Sequence, residues 1–191
     1  AKFTPSGELD WGTYYGGPEN DEIRSSVSDA FGHVFMIGMT RSTSQISFNG
    51  YQMDHGGGDY DAMLVGFKVD SGDLIMGSYY GGSFNDQAFG SASDTDGALF
   101  IGGVTNSSND TSICSSNGFD TSLSSTQDAF AAKFRTDCLG HAAGNQEQGS
   151  PCVDPDPCTI NDVYNASCVC AGTYPDAGQI LGNVILGSGI Q

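Results

Sequence analysis

The chain has 191 residues and a formal net charge of −17 at pH 7, with 28 glycines, 8 tyrosines and 11 phenylalanines. All six lysines and arginines lie before residue 138, so a nucleic-acid partner is not expected, because phosphate backbones attract basic surfaces. No apolar run approaches the roughly 20 residues of a membrane-spanning helix, and the aromatic content favours a folded, glycine-rich β protein.

Four short segments near the start of the chain predict β-strands. They cover roughly residues 9–15, 23–28, 33–40 and 61–69, and turn residues bound each of them. The third and fourth, HVFMIGMT and AMLVGFKV, are apolar almost throughout, which is typical of strands covered on both faces. Together these segments predict one four-stranded antiparallel unit.

The same arrangement returns further along the chain at a constant spacing, the one that separates Tyr14 from Tyr79. TYYGGPENDE at residues 13–22 recurs as SYYGGSFNDQ at 78–87, and HVFMIGMT at 33–40 recurs as ALFIGGVT at 98–105. This self-similarity predicts a repeat protein with two units.

Later segments match at a slightly longer spacing. DAMLVGF from Asp61 corresponds to DAFAAKF from Asp128, so two residues have been inserted within the second unit. The opening AKF of residues 1–3 corresponds to 132–134. We therefore expect residues 1–137 to form two repeats, of which the first and the last are incomplete, with further units elsewhere in a parent chain. In the alternative arrangement, the two units pack face to face as a sandwich-like pair.

A glycine pair follows each tyrosine pair, at Gly16-Gly17 and at Gly81-Gly82. Glycine in ordered structure costs roughly 0.5–1 kcal/mol, and a sharp exit from a strand would explain both pairs. The Asn20-Asp21 and Asn85-Asp86 pairs that follow are interpreted as turn residues whose side chains bond backbone amides.

The repeated segments resemble a known family. AKFTPSGELDWGTYYGG through Asp21, GHVFMIGMT and DAMLVGF are similar to the SBBP repeat, the β-propeller repeat of secreted and surface bacterial proteins. The resemblance covers about residues 1–137 and implies an all-β fold with two four-stranded, antiparallel, propeller-type blades. The stretches 41–58 and 106–126 are longer than the compact repeat requires.

A second resemblance covers residues 149–173, GSPCVDPDPCTINDVYNASCVCAGT. This stretch is similar to a cysteine module of large secreted gram-negative proteins that carry a type IX sorting tail. The resemblance implies an exported, multidomain parent. Residues 138–174 are therefore expected to form a small disulfide-rich module, and 175–191 are either a tail or the start of a further domain.

The cysteines favour disulfides and an oxidising, extracellular or cell-surface location. Four of the six crowd into one short stretch, as Cys152, Cys158, Cys168 and Cys170. Zinc is the alternative, although Cys168-Val-Cys170 is tighter than the usual zinc-binding pair. Three connectivities are open for these four cysteines, and Cys114 and Cys138 are candidates for a further pair.

Oxygen ligands lie among the same cysteines, and calcium is the one cofactor that they suggest. The candidate ligands are Asp154, Asp156, Asn161 and Asp162. In the alternative interpretation, Asp156 and Thr159 cap a turn.

A second acidic spot, DHGGGDYDA, contains Asp54, His55, Asp59 and Asp61. Only Asp128 recurs at the corresponding place in the second unit. A solvated loop is therefore expected here rather than a metal site.

No catalytic constellation is found in the sequence. His33, His55 and His141 lie in unrelated contexts, and no G-x-S-x-G elbow occurs. A catalytic propeller would need active residues from other blades.

The sequence thus predicts a non-catalytic extracellular β-propeller segment that acts as scaffold, adhesion module or binding platform for a glycan or a surface protein. The alternative is a carbohydrate-binding accessory module of a secreted hydrolase, with Trp11 stacking on sugar rings. The pairs Tyr14-Tyr15 and Tyr79-Tyr80 follow the strand pattern and are expected in the blade core.

Overall fold

A computed structural model describes residues 1–95, 97–108 and 112–134, and the backbone of 160–164 and 170–173. In this part of the chain every regular element is a β-strand and every pairing is antiparallel, which confirms the all-β prediction. None of these residues forms a helix that could cross a bilayer. The chain divides into two compact units, Ala1–Asn145 and Gln146–Gln191.

The described residues of the first compact unit, Ala1–Asn145, form two larger sheets and one short hairpin. The hairpin pairs β1 (Lys2–Phe3) with β2 (Leu9–Trp11). Sheet 1 contains β3 (Asp21–Ser28), β4 (His33–Thr40), β5 (Asp61–Lys68) and β6 (Leu74–Tyr80). Sheet 2 contains β7 (Asp86–Ser93), β8 (Leu99–Thr105) and β9 (Asp128–Phe134). In each sheet the strand order follows the chain order.

In the second compact unit, Gln146–Gln191, the described backbone forms one antiparallel hairpin. It pairs β10 (Ile160–Tyr164) with β11 (Cys170–Thr173).

The strands lie close to where the sequence predicts them, but the way in which the sequence repeat groups them into sheets was wrong. Residues 74–80 were assigned to the second unit by the repeat, yet they form the last strand of sheet 1. The tight turn after β5 explains this, because Gly72 N–H donates to the Lys68 carbonyl at 2.9 Å and folds β6 back onto β5. A separate tight turn, in which Gly7 N–H donates to the Thr4 carbonyl at 2.9 Å, pairs residues 9–11 with β1 and not with β3.

The second four-stranded unit that the repeat predicts is only partly confirmed. Sheet 2 has three strands among the described residues, because residues 74–80, which the repeat predicted as a strand of this unit, lie in sheet 1. The described sheets do not close into a barrel or a ring.

Sheets 1 and 2 pack face to face and share the main core. Tyr80, Phe35 and Leu64 project from sheet 1 toward Phe130 and Phe134 of sheet 2. At one side of this interface β7 lies along β3, where the Ser25 and Ser91 hydroxyls are 2.8 Å apart. The opposite face of sheet 1 is covered by a smaller cluster formed by Ile46, Met63, Tyr79 and Tyr15. The central strands are therefore covered on both faces, as their apolar sequences predict.

Gly77 provides a test of how closely β6 is packed. A Cβ at Gly77 would overlap the Tyr15 hydroxyl and the Ile46 carbonyl. We expect Gly77→Ala to lower the free energy of unfolding by about 1–3 kcal/mol, the usual cost of overpacking.

Gly90 is the matched control, because a Cβ there meets no atom within 4 Å. Gly90→Ala should leave stability unchanged or raise it slightly. Urea unfolding of both variants measures the difference, and equal stabilities would contradict the packing described here.

Candidate functional site

The junctions between successive sheets are built from one repeated aromatic contact. The Tyr15 ring meets Phe67 edge-on at 5.9 Å and 90°, and the Tyr80 ring meets Phe134 edge-on at 5.3 Å and 82°. Tyr80 is the repeat equivalent of Tyr15, and Phe134 is the equivalent of Phe67 at the longer spacing, so both partners follow the repeat. The same edge-to-face geometry therefore occurs at two equivalent places.

The tyrosine hydroxyls repeat a second contact. Tyr15 donates to the Ile46 carbonyl, and Tyr80 donates to the Ile113 carbonyl at 2.6 Å. Burial raises the pKa of Tyr15 to about 12 and also raises the pKa of Tyr80 above its ordinary value. Each phenol therefore stays neutral and donates a hydrogen bond to the next unit.

The glycine corner after β2 is held by a carboxylate. Asp21 accepts a hydrogen bond from Gly17 N–H at 2.8 Å and from the Ser42 hydroxyl at 3.2 Å. Thr40 also donates to Asp21 through its hydroxyl. The first strand of sheet 1 is thereby tied to the preceding corner.

The second corner repeats these bonds. Asp86, which is fully buried, accepts from Gly82 N–H at 2.8 Å and from the Ser107 hydroxyl at 2.9 Å. Asn85 also accepts from the amide of Asp59 at 2.6 Å. The prediction that these pairs bond backbone amides through their side chains is confirmed for Asp21, Asn85 and Asp86. The two carboxylates have a structural use.

The acidic loop before β5 was predicted to be solvated, and this is wrong for two of its four residues. Asp54 and Asp59 are exposed, but Asp61 is fully buried and the His55 side chain is 7% exposed. His55 Nδ1 lies 3.8 Å from Asp61 Oδ2, and its ring packs edge-on against Tyr79 at 5.6 Å. Burial lowers the pKa of His55. Across the described residues, no three His, Cys, Asp or Glu side chains are grouped to hold a metal ion.

A cleft of about 910 Å³ follows the outer edge of β9. It is lined by the whole of β9, by Tyr80 and by side chains from residues 112–115 and 118–124. Within the described part of the chain, no strand pairs with this edge. Among the described residues, the cleft therefore presents strand backbone that no other strand pairs with, beside aromatic and polar side chains.

Three of the four paired tyrosines lie in the packing, as expected. Tyr79 and Tyr80 are buried, and Tyr15 is half-buried. Tyr14 is fully exposed and contradicts the prediction. Tyr14 corresponds to Tyr79, whose hydroxyl bonds the Ser42 carbonyl at 2.9 Å, and no described residue covers Tyr14 in this way.

Trp11 was the candidate for stacking on sugars. Its indole N–H donates to the Val69 carbonyl at 2.8 Å, and its ring tilts against Phe67 at 6.1 Å. Trp11 is thus held against sheet 1, which favours packing over ligand stacking.

The cysteine predictions fall mostly outside the described residues. Cys114 is a free thiol that packs against the core between the sheets, and its suggested partner Cys138 lies outside the described residues. Cys170 lies on β11, of which only the backbone is described. The other candidate cysteines lie outside the described residues: Cys138, Cys152, Cys158 and Cys168.

The candidate calcium ligands are divided in the same way. Asn161 and Asp162 lie on β10, of which only the backbone is described, and Asp154 and Asp156 lie outside the described residues.

No protein-family model matches this chain, and no curated protein sequence matches it either. The sequence reasoning missed Phe67, Phe134, Ile46 and Ile113 as junction residues. A signal existed, because Ile46 and Ile113 already share the spacing that separates Asp61 from Asp128.

The tyrosine junctions predict alkaline sensitivity. Because the folded pKa of Tyr15 is about 12 and its ordinary value is 10.0, the unfolded chain loses its proton first as pH rises. The contribution of Tyr15 to the free energy of unfolding is therefore fully present below pH 10.0 and is lost as pH rises toward about 12.

Unfolding free energies measured from about pH 8 to about pH 11.5, a window that spans the ordinary pKa of tyrosine, should show this fall. Tyr15→Phe should reduce it, since phenylalanine has no proton to lose. Tyr14→Phe is the control and should leave the pH dependence as it is. An equal slope in all three proteins would contradict the burial of the Tyr15 hydroxyl.

Proposed function

We propose that this chain is a non-catalytic, extracellular β-propeller segment of a secreted or cell-surface protein, and that it acts as a scaffold or binding platform. The observation that carries this proposal is the repetition of the Tyr-Phe junction at two equivalent places. In this junction, one face of a unit contacts the opposite face of the next unit. Additional units could therefore be added in the same way.

The outer face of sheet 2 supports this continuation. Phe100 and Ala131 lie at the positions that Phe35 and Leu64 occupy in sheet 1. Phe35 and Leu64 are buried against sheet 2, whereas Phe100 is 38% exposed. An apolar face of this kind is expected where a further blade packs.

One residue on that face departs from the repeat. Lys133 stands where sheet 1 has Gly66, and its ammonium lies 4.9 Å from the centre of the Phe100 ring. The same ammonium also pairs with the Asp94 carboxylate at 3.3 Å, so a following unit would meet an ion pair at this junction.

The buried acidic groups support a structural role over a catalytic one. Asp21 and Asp86 bind the glycine corners, while Asp29 binds His33 Nδ1 at 2.8 Å in the turn between β3 and β4. The hydrogen bonds from His33 help to lower the pKa of Asp29 against the effect of burial. Each carboxylate thus has partners that maintain the fold.

The extracellular part of the proposal rests on sequence. The resemblance of residues 1–137 to SBBP repeats and of 149–173 to a cysteine module favours export by type IX secretion. In that setting the cysteines of residues 152–170 would form disulfides, and the neighbouring oxygen ligands would bind calcium.

The scaffold proposal and its carbohydrate-binding alternative differ in what they require of Trp11. We expect wild-type chain and Trp11→Phe to give the same profile on a glycan array, because the indole is turned toward Val69 and Phe67. Tyr14→Ala, which changes a fully exposed ring, is the control for non-specific surface effects. A glycan bound by the wild type and lost in Trp11→Phe, with folding unchanged, would favour the accessory-module function.

A further inference from the structure

Strand β6 lies in a slot with hydrogen-bonding partners on both edges. On one side it pairs with β5. On the other side Gly77 exchanges hydrogen bonds of 2.7 and 2.8 Å with Phe48, and Tyr79 N–H donates to the Gln52 carbonyl at 3.1 Å. The long loop before β5 therefore forms the second wall of this slot.

The cleft beside β9 has the same walls. Strand β9 corresponds to β5, and at the spacing that separates these two strands the equivalents of Ile46, Phe48 and Gln52 are Ile113, Ser115 and Phe119. All three equivalents line the cleft together with the whole of β9. The cleft is thus the sheet 2 equivalent of the slot that β6 fills in sheet 1.

The back of both slots is a tyrosine hydroxyl bonded to an isoleucine carbonyl. In sheet 1 this pair, Tyr15 and Ile46, lies against Gly77, where any Cβ would overlap it. In the cleft the equivalent pair is Tyr80 and Ile113. A strand that enters the cleft must therefore carry glycine at this position.

The chain contains a second strand with the required sequence. Residues 9–17 repeat 74–82, with Gly12 in the place of Gly77 and Tyr14 in the place of Tyr79. Phe3 pairs with Leu9 as Phe67 pairs with Leu74, so β1 presents the partner residues that the end of β9 would present. Tyr14 is fully exposed, whereas Tyr79 is 1% exposed.

We propose that the cleft along β9 accepts the segment 7–17 of a second copy of this chain, which adds to sheet 2 as a fourth antiparallel strand. Main-chain hydrogen bonds to β9 would provide affinity, and the glycine site facing Tyr80 would provide specificity. Residues 112–124 of the accepting copy would cover Tyr14 of the donor. This inference deepens the proposed function and rests on it, since it describes how scaffold segments join.

The test uses a fluorescent peptide with the sequence of residues 7–18, GELDWGTYYGGP, titrated with the full 191-residue chain. We expect saturable binding by anisotropy, weakened roughly tenfold or more in a Gly12→Ala peptide. A Glu8→Ala peptide is the matched control, because the corresponding Asp73 is exposed in the turn before β6. Failure of the wild-type peptide to bind, or equal binding of the Gly12→Ala peptide, would overturn the proposal.

Sedimentation of the full chain tests the second copy directly. We expect concentration-dependent self-association that excess peptide reverses and that Gly12→Ala abolishes. A Cβ at Gly12 meets only Ala1 and Leu9, at 3.7 and 3.8 Å, within its own molecule, so this variant should fold normally. A monomer at every concentration would overturn strand donation alone, because the Tyr-Phe junctions within one chain do not depend on it.

Discussion

The structure depends on one contact, the edge-on packing of a tyrosine from one unit against a phenylalanine of the next. Tyr80 ends the last strand of sheet 1, but its ring lies against Phe134 of sheet 2 and its hydroxyl bonds the Ile113 carbonyl. The side chain therefore belongs to two units. The burial of Tyr80 joins the cores of the two units. Separating them would leave its hydroxyl without the Ile113 carbonyl, and an unpaired buried hydroxyl costs more than the hydrogen bond contributes.

The doubled Tyr-Tyr-Gly-Gly phrase follows from this arrangement. The second tyrosine must enter the next unit while the backbone turns sharply toward that unit's first strand. Two glycines allow the turn, and the following aspartate accepts the Gly17 amide in one corner and the Gly82 amide in the other. A side chain at Gly17 would also collide with Ser42, which donates to the same carboxylate. The corner therefore requires glycines, because the backbone there packs directly against the aspartate carboxylate and leaves no room for a side chain.

The sequence predicted the strands better than their partners. Apolar runs located β4 and β5 almost to the residue, because a strand covered on both faces consists of consecutive apolar residues. The repeat alone could not show that residues 74–80 complete sheet 1, because a repeating sequence does not reveal where one sheet ends and the next begins. The tight turn at Gly72 determines that these residues pair with β5. Tyr14 was predicted to be buried because it follows the strand pattern, but burial depends on a neighbour that the local sequence does not contain.

The candidate site was harder to anticipate. The cleft beside β9 is lined by Tyr80, which precedes the two-residue insertion, and by residues 112–115, 118–124 and β9, which follow it. Its equivalence to the β6 slot therefore appears only when residues 112–119 are aligned at the longer spacing. Trp11 stood out in the sequence as a single large aromatic, yet the bond from its indole to Val69 could not be read from a pattern. Contacts between distant segments, rather than residue types, decide both points.

A double-mutant cycle on Tyr80 and Phe134 tests the central claim most directly. Unfolding free energies of the wild type, Tyr80→Leu, Phe134→Leu and the double variant give the coupling energy of the pair. The two rings are 5.3 Å apart, and the account predicts a favourable coupling of about 0.5–1.5 kcal/mol, the usual range for packed aromatic pairs. Additive effects of the two substitutions would contradict it, because the units would then be joined by something other than this contact.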